Sequence, residues 1–125
     1  MPVLKTLLSP LLAIALALPV AAAELVMVEQ TGCEWCARWN EEIAPAYPKT
    51  REGRFAPLRR VDLRAMPPDL EVSRRVVFTP TFLVVENEQE IGRLEGYPGE
   101  DFFWPLLEQL LEDTTEFEQF EATGG

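Results

Sequence analysis

Histidine is missing from this sequence, and cysteine occurs only twice, at Cys33 and Cys36. A structural zinc site ordinarily takes four nitrogen or sulfur ligands, and with no histidine and no third cysteine that set cannot be filled. Basic residues are also scarce, 11 Lys and Arg against 21 Asp and Glu for a net charge of −10. Phosphate-backbone binding depends on Lys and Arg, so this balance opposes a nucleic-acid function. After Arg93 there is no base at all, while Glu95 to Glu121 carries nine acids, a pattern that reads as a solvated surface and tail. A long apolar span is absent too. The run from Leu7 to Leu18 is shorter than the roughly 20 residues that cross a bilayer and is interrupted by Pro10 and followed by Pro19.

What is present at the N-terminus is the pattern of an export signal. Lys5 precedes the apolar run, and Ala21 and Ala23 occupy the −3 and −1 positions of an A-x-A cleavage site. The expected organisation is a signal peptide over 1–23, one domain over 24–113, and an acidic flexible tail over 114–125. Glu24, not cysteine, follows the cut, so a lipoprotein anchor has no attachment point. The mature chain is expected to be soluble and exported.

Within the domain, 24–30 reads as a buried strand. Cys36, Trp39 and Ile43 then fall on one helical stripe, in a helix that Pro45 should end. Residues 56–64 form a second strand, and 66–76 a loop with a short helix around Leu70 to Arg74. A hairpin follows, Thr81–Val85 and Glu90–Leu94 about a turn at Glu86–Gln89. Phe103, Leu106, Leu107, Leu110 and Leu111 mark a final amphipathic helix with Asp101 as its N-cap. Trp39, Phe102, Phe103 and Trp104 are assigned to the core, and Phe117 and Phe120 are the only docking points of the tail. The order β-α-β-α-β-β-α describes a small α/β sandwich, the first two strands parallel and the hairpin added antiparallel.

A C-x-x-C pair opening a helix has a direct chemical consequence. Cys33 lies where unpaired backbone N–H groups and the helix dipole stabilise a thiolate. Cys36 lies one turn further in, on the buried stripe. Cys33 should therefore attack, and Cys36 should resolve the mixed disulfide. A structural staple and a metal site are the other uses of such a pair. A staple closing two intervening residues constrains little of the unfolded chain, whereas two thiolates suffice for Cu(I).

"TGCEWCARW", "FTPTF" and "GRLEGYPGEDFFWPLL" together resemble the thioredoxin superfamily, across nearly all of 25–112. More narrowly they resemble the SoxS family of thioredoxin-like proteins encoded with bacterial sulfur-oxidation (Sox) genes. The resemblance implies a thioredoxin-like fold, a four-stranded mixed sheet flanked by helices, with Cys33 and Cys36 as the redox pair. It implies that Pro80 is a cis-proline facing that pair and that the backbone of Thr79 receives a substrate strand. It places the Gly96 region near the site, as part of a substrate groove. It further implies a periplasmic thiol–disulfide oxidoreductase that reduces a cysteine of a carrier protein of sulfur oxidation, with no cofactor and no metal. In an oxidising compartment such a reductant must be recharged, which requires a membrane protein delivering electrons.

The sequence departs from the superfamily at two points. A buried acid usually stands six residues before the first cysteine, and here that position is Met27; Glu29, Glu34 and Asp62 are the possible substitutes. Between the cysteines stand Glu34 and Trp35. Glu34 puts a like charge beside the Cys33 thiolate, which favours the disulfide over the dithiol, and a pair that prefers oxidation is a reductant. Glu34 also suits a helix N-terminus on its own account. Trp35 is expected to be exposed and to pack on a bound partner; the alternative is a cover for the sulfurs. Arg38 lies about 140° round the helix from Cys33 at ~100° per residue and is given no role in thiolate stabilisation. Arg59, Arg60, Arg74 and Arg75 form a solvated face or a dock for an acidic partner. Two other functions stay open: a periplasmic disulfide oxidase or isomerase, and a Cu(I) chaperone, although a proline facing the sulfurs would crowd the ion.

Overall fold

The computed structural model describes residues 2–3, 9–14 and 23–122, and the side chains as far as 120. Most of the expected signal peptide, Ala21 included, lies outside the described residues. Among those described, no helix is long and apolar enough to cross a membrane.

Eight helices and strands follow Ala23: β1 (Glu24–Glu29), α1 (Glu34–Glu42), α2 (Arg51–Phe55), β2 (Leu58–Asp62), β3 (Thr81–Glu86), β4 (Gln89–Glu95), α3 (Glu100–Thr114) and α4 (Phe117–Ala122). The sheet order is β2-β1-β3-β4. β1 runs parallel to β2 and antiparallel to β3, and β3 and β4 form the antiparallel hairpin. This is the thioredoxin-like α/β architecture. Central position explains why β1 and β3 are apolar on both faces rather than alternating. Leu25, Met27, Phe82 and Val84 point to Trp39, Ile43, Phe103, Leu107 and Leu111 from α1 and α3. Val26, Val28, Leu83 and Val85 point the other way, to Val61, Leu70 and Val76.

Among the described residues, that second face carries no α-helix. Around Leu70 to Arg74 the expected helix is absent. A 3-10 turn at Leu63–Ala65 stands nearer β2, capped by the Asp62 carboxylate on the Arg64 N–H at 2.8 Å. Past Pro67 and Pro68 the backbone pairs with the hairpin instead, Glu71 N–H to Glu88 O and Glu90 N–H to Glu71 O, both 2.8 Å. Those bonds consume the groups a helix would have used.

The hairpin turn is tighter than expected. Only Asn87 and Glu88 lie outside the strands, with φ of 53° and 59°, the left-handed pair that a two-residue loop requires. Arg59 holds the Glu88 carboxylate at 2.7 Å, which steadies a residue type unsuited to that conformation. α3 also starts earlier than expected. Its N-cap is Gly99 at φ 102°, with Glu100 and Asp101 inside the first turn, where their charge still meets the helix dipole favourably. That phase points Phe103 inward and leaves Phe102 64% exposed and Leu106 44% exposed, so neither belongs to the core. Trp104 is half-buried and stacks on Tyr47 at 6.2 Å.

Residues 47–55 had no assigned structure. A 3-10 turn at Tyr47–Lys49 leads into α2, and the Thr50 hydroxyl accepts the Gly53 N–H at 3.0 Å. Gly53 is required there, because a Cβ would sit 1.8 Å from the Tyr47 carbonyl oxygen. The expected tail is also different. Residues 117–122 form α4, with Phe117 fully buried and its ring 5.3 Å from Phe55.

Two predictions follow from this packing. Phe117→Ala should lower unfolding stability by about 3 kcal/mol or more, the usual loss for a buried phenylalanine. A urea midpoint unchanged from the parent would show that α4 contributes nothing. The second concerns the two tyrosines. Burial and the nearby Glu52 push the Tyr47 phenol well above its ordinary value, and burial together with Glu42 pushes Tyr97 up to about 12. A raised acid favours the fold below its unfolded pKa of 10.0 and loses that advantage as pH rises through the folded value. Stability should therefore fall above about pH 10, with tyrosinate absorbance appearing together with loss of structure. Tyrosinate formed at pH 10 in a folded chain would contradict this.

Candidate active site

β1 ends at Glu29, and Gly32, at φ 84°, turns the chain into α1. Cys33 is the N-cap, extended at φ −82° and ψ 106°, and its Sγ accepts the Cys36 N–H at 3.1 Å. Cys36 is 2% exposed and shares its stripe with the fully buried Trp39 and Ile43. The two sulfurs are joined as a disulfide. The sulfur at the mouth and the sulfur in the core thus stand in the order expected of them.

An open groove of about 550 Å³ runs past Cys33, with Gln30, Gly32, Glu34 and Trp35 along it and Thr79 opposite. The Thr79–Pro80 peptide bond is cis. Gln30 Nε2 donates to Thr79 Oγ1 at 2.9 Å, tying the loop after β1 to the loop before β3. Thr81 Oγ1 donates to the Phe78 carbonyl at 2.7 Å. Gly96 does not line the groove. Its N–H binds the Pro80 carbonyl at 2.8 Å, so it supports the opposite wall from behind.

The sequence reading missed Val77 and Phe78, 59% and 60% exposed immediately before Thr79. Their signal was available: two large apolar residues that no strand or helix period accounts for. It also missed Gln30, a polar residue with no motif of its own.

Met27 stands fully buried where a carboxylate was sought, with Arg60 Nη1 3.6 Å from its sulfur. Among the possible substitutes, Glu29 is bound by Arg60 at 2.6 Å and by Asn40 at 3.3 Å. Asp62 caps the 3-10 turn. Only Glu34 borders the groove, in the first turn of α1. Trp35 is 51% exposed, and the Arg38 guanidinium lies 5.0 Å from its ring centroid. On the basic face, Arg59 pairs with Glu88, Arg60 with Glu29 and Arg74 with Glu95. The Arg74 guanidinium holds the Glu95 carboxyl below the usual range.

The arrangement can do one thing directly. It presents an accessible sulfur at a helix N-terminus, backed by a second sulfur within bonding distance, to a chain lying along the groove.

A comparison with solved structures finds the periplasmic thioredoxin SoxS from Paracoccus pantotrophus, in its reduced form. It is 57% identical, with a TM-score of 0.69, over 72% of this chain and 96% of that one. No protein-family model and no curated protein matches the chain.

Proposed function

The chain belongs to the SoxS family of thioredoxins and is a thiol–disulfide oxidoreductase, and we propose that it works as a periplasmic reductant of a partner protein of sulfur oxidation. The observation that carries this reading is the division between the sulfurs: Cys33 caps α1 at the groove, and Cys36 is 2% exposed beneath it. The leader over 1–23 would export the chain, and the relative's being a periplasmic thioredoxin supports that compartment.

In the proposed cycle the Cys33 thiolate attacks the partner's cysteine sulfur in its disulfide or persulfide-type adduct. An S–S bond forms between the proteins, and the displaced sulfur leaves as thiolate. Cys36 loses its proton and attacks Cys33 Sγ, closing the Cys33–Cys36 disulfide and releasing the partner's cysteine, which is protonated by solvent. Two electrons have passed to the partner. The closed disulfide needs two more from a membrane thiol donor before the next turnover. The partner's chain would lie along the groove, against Trp35 on one side and the Thr79 backbone before Pro80 on the other, with Gly96 steadying that wall through the Pro80 carbonyl.

Cys36→Ser, pre-reduced and mixed with a disulfide-bearing carrier protein, should stop at a covalent adduct that dithiothreitol dissolves. Cys33→Ser should form none; equal adducts from both variants would remove the assigned order of attack. Glu34, in the first turn beside Cys33, biases the exchange toward reduction of the partner. Glu34→Gln should raise the midpoint potential against glutathione by about 10–20 mV, the scale of one screened surface charge. A lower potential would reverse the role given to Glu34, and a parent value near −120 mV, that of a strong oxidant, would assign the protein to disulfide formation.

A further inference from the structure

An indole half in solvent on a helix surface has little packing to hold it in one rotamer. Trp35, between the two cysteines, is held from its other side by a relay of polar contacts. The Arg38 guanidinium lies over its ring at 5.0 Å. Arg38 Nε donates to Glu42 Oε1 at 3.1 Å, and the Tyr97 hydroxyl donates to Glu42 Oε2 at 3.2 Å. Tyr97 is 5% exposed and its ring meets Phe103 edge-on at 6.0 Å, so the relay is rooted in the core. Tyr97 also follows Gly96, whose N–H holds the Pro80 carbonyl on the far wall. Both walls of the groove therefore depend on the same short connection between β4 and α3.

We propose that Tyr97, Glu42 and Arg38 are positioning residues that hold the Trp35 indole as a fixed wall for the polypeptide flanking the partner's disulfide. This rests on the groove being the substrate site. Arg38 does its work through Trp35. Its charge is divided between the Glu42 carboxylate and the ring face, and its place on the helix is turned away from Cys33. Tyr97, with its phenol held protonated through the neutral range by burial and by Glu42, is a permanent donor at the root. The benefit is preorganisation: freezing one free side chain on binding weakens affinity by about two- to tenfold, and a wall already fixed avoids that loss.

Tyr97→Phe keeps the ring on Phe103 and removes only the donor, while Arg38→Gln removes the charge over the indole. With insulin disulfides as substrate and dithiothreitol as electron source, each should raise KM about two- to tenfold with kcat unchanged. The midpoint potential against glutathione should not move. In a Trp35→Ala background neither substitution should raise KM further, as expected of groups acting through one contact. Nitrogen relaxation of the Trp35 indole N–H should show faster motion in both variants. The proposal is overturned if KM rises equally without Trp35, if the potential shifts together with kcat, or if the indole stays as rigid as in the parent. Should the parent reduce no insulin, the function proposed above fails, and the relaxation measurement still decides the positioning.

Discussion

Trp39 is the contact on which the rest of the molecule depends. Fully buried, it meets Phe82 of β3 at 5.1 Å, Phe103 of α3 at 5.8 Å and Tyr47 at 6.2 Å. Among the described residues its indole N–H has no partner, a cost of about 1–3 kcal/mol for a buried donor. Burying the ring recovers roughly 4–6 kcal/mol from 150–250 Å² at 25 cal/mol/Å², so burial wins. The consequence is rotational. With Trp39 locked inward, α1 cannot turn about its axis, and Cys36, one turn before it, is held inside while Cys33 remains at the mouth. The chemical order of the two sulfurs is therefore a packing result.

Two fields then act on Cys33 in opposite senses. The Cys36 N–H and the helix N-terminus favour a thiolate; Glu34, in the same first turn, opposes it. Neither is large at a solvent-exposed helix end, where each is worth under about 1 kcal/mol. Met27 stands in place of an interior carboxylate, and Glu29 is bound to Arg60. Where opposing influences are each this small, a single charge such as Glu34 can bias the couple.

Much of this was legible in the sequence because the signals were local and strong. The C-x-x-C at a helix start, the stripe of Cys36, Trp39 and Ile43, and the hairpin all come from short-range periodicity, and Thr79–Pro80 came with the resemblance. What was illegible depended on distant partners. α2 spans five residues and forms because Thr50 caps it and Gly53 admits the Tyr47 carbonyl. α3 is capped by Gly99 rather than by Asp101, and its phase turns Phe102 outward, which no composition rule reveals. Phe117 was named as a docking point, yet its burial against Phe55 needed the position of α2. Gln30 carries no motif, and its bond to Thr79 joins residues 49 apart in the chain.

The segment that replaces a helix on the second face still has to be held in place, since Val76 covers the sheet there and Thr79 lines the groove. A buried ion pair does this. The side chains of Glu90 and Arg93 are 2% and 6% exposed, and the Glu90 carboxylate accepts the Ser73 N–H at 3.1 Å and the Ser73 hydroxyl. Arg93 donates to Glu90 through Nε at 2.8 Å and to the Arg74 carbonyl at 2.8 Å. A charge pair out of water is weak evidence for stability, but one whose remaining hydrogen bonds are filled can specify a single backbone position. Fixed at Ser73 and Arg74, the chain has only Arg75 to Phe78 left before Thr79. That short tether carries Val77 and Phe78 into solvent immediately before Thr79, and it links the second sheet face to the site through β4, the strand that ends just before Gly96.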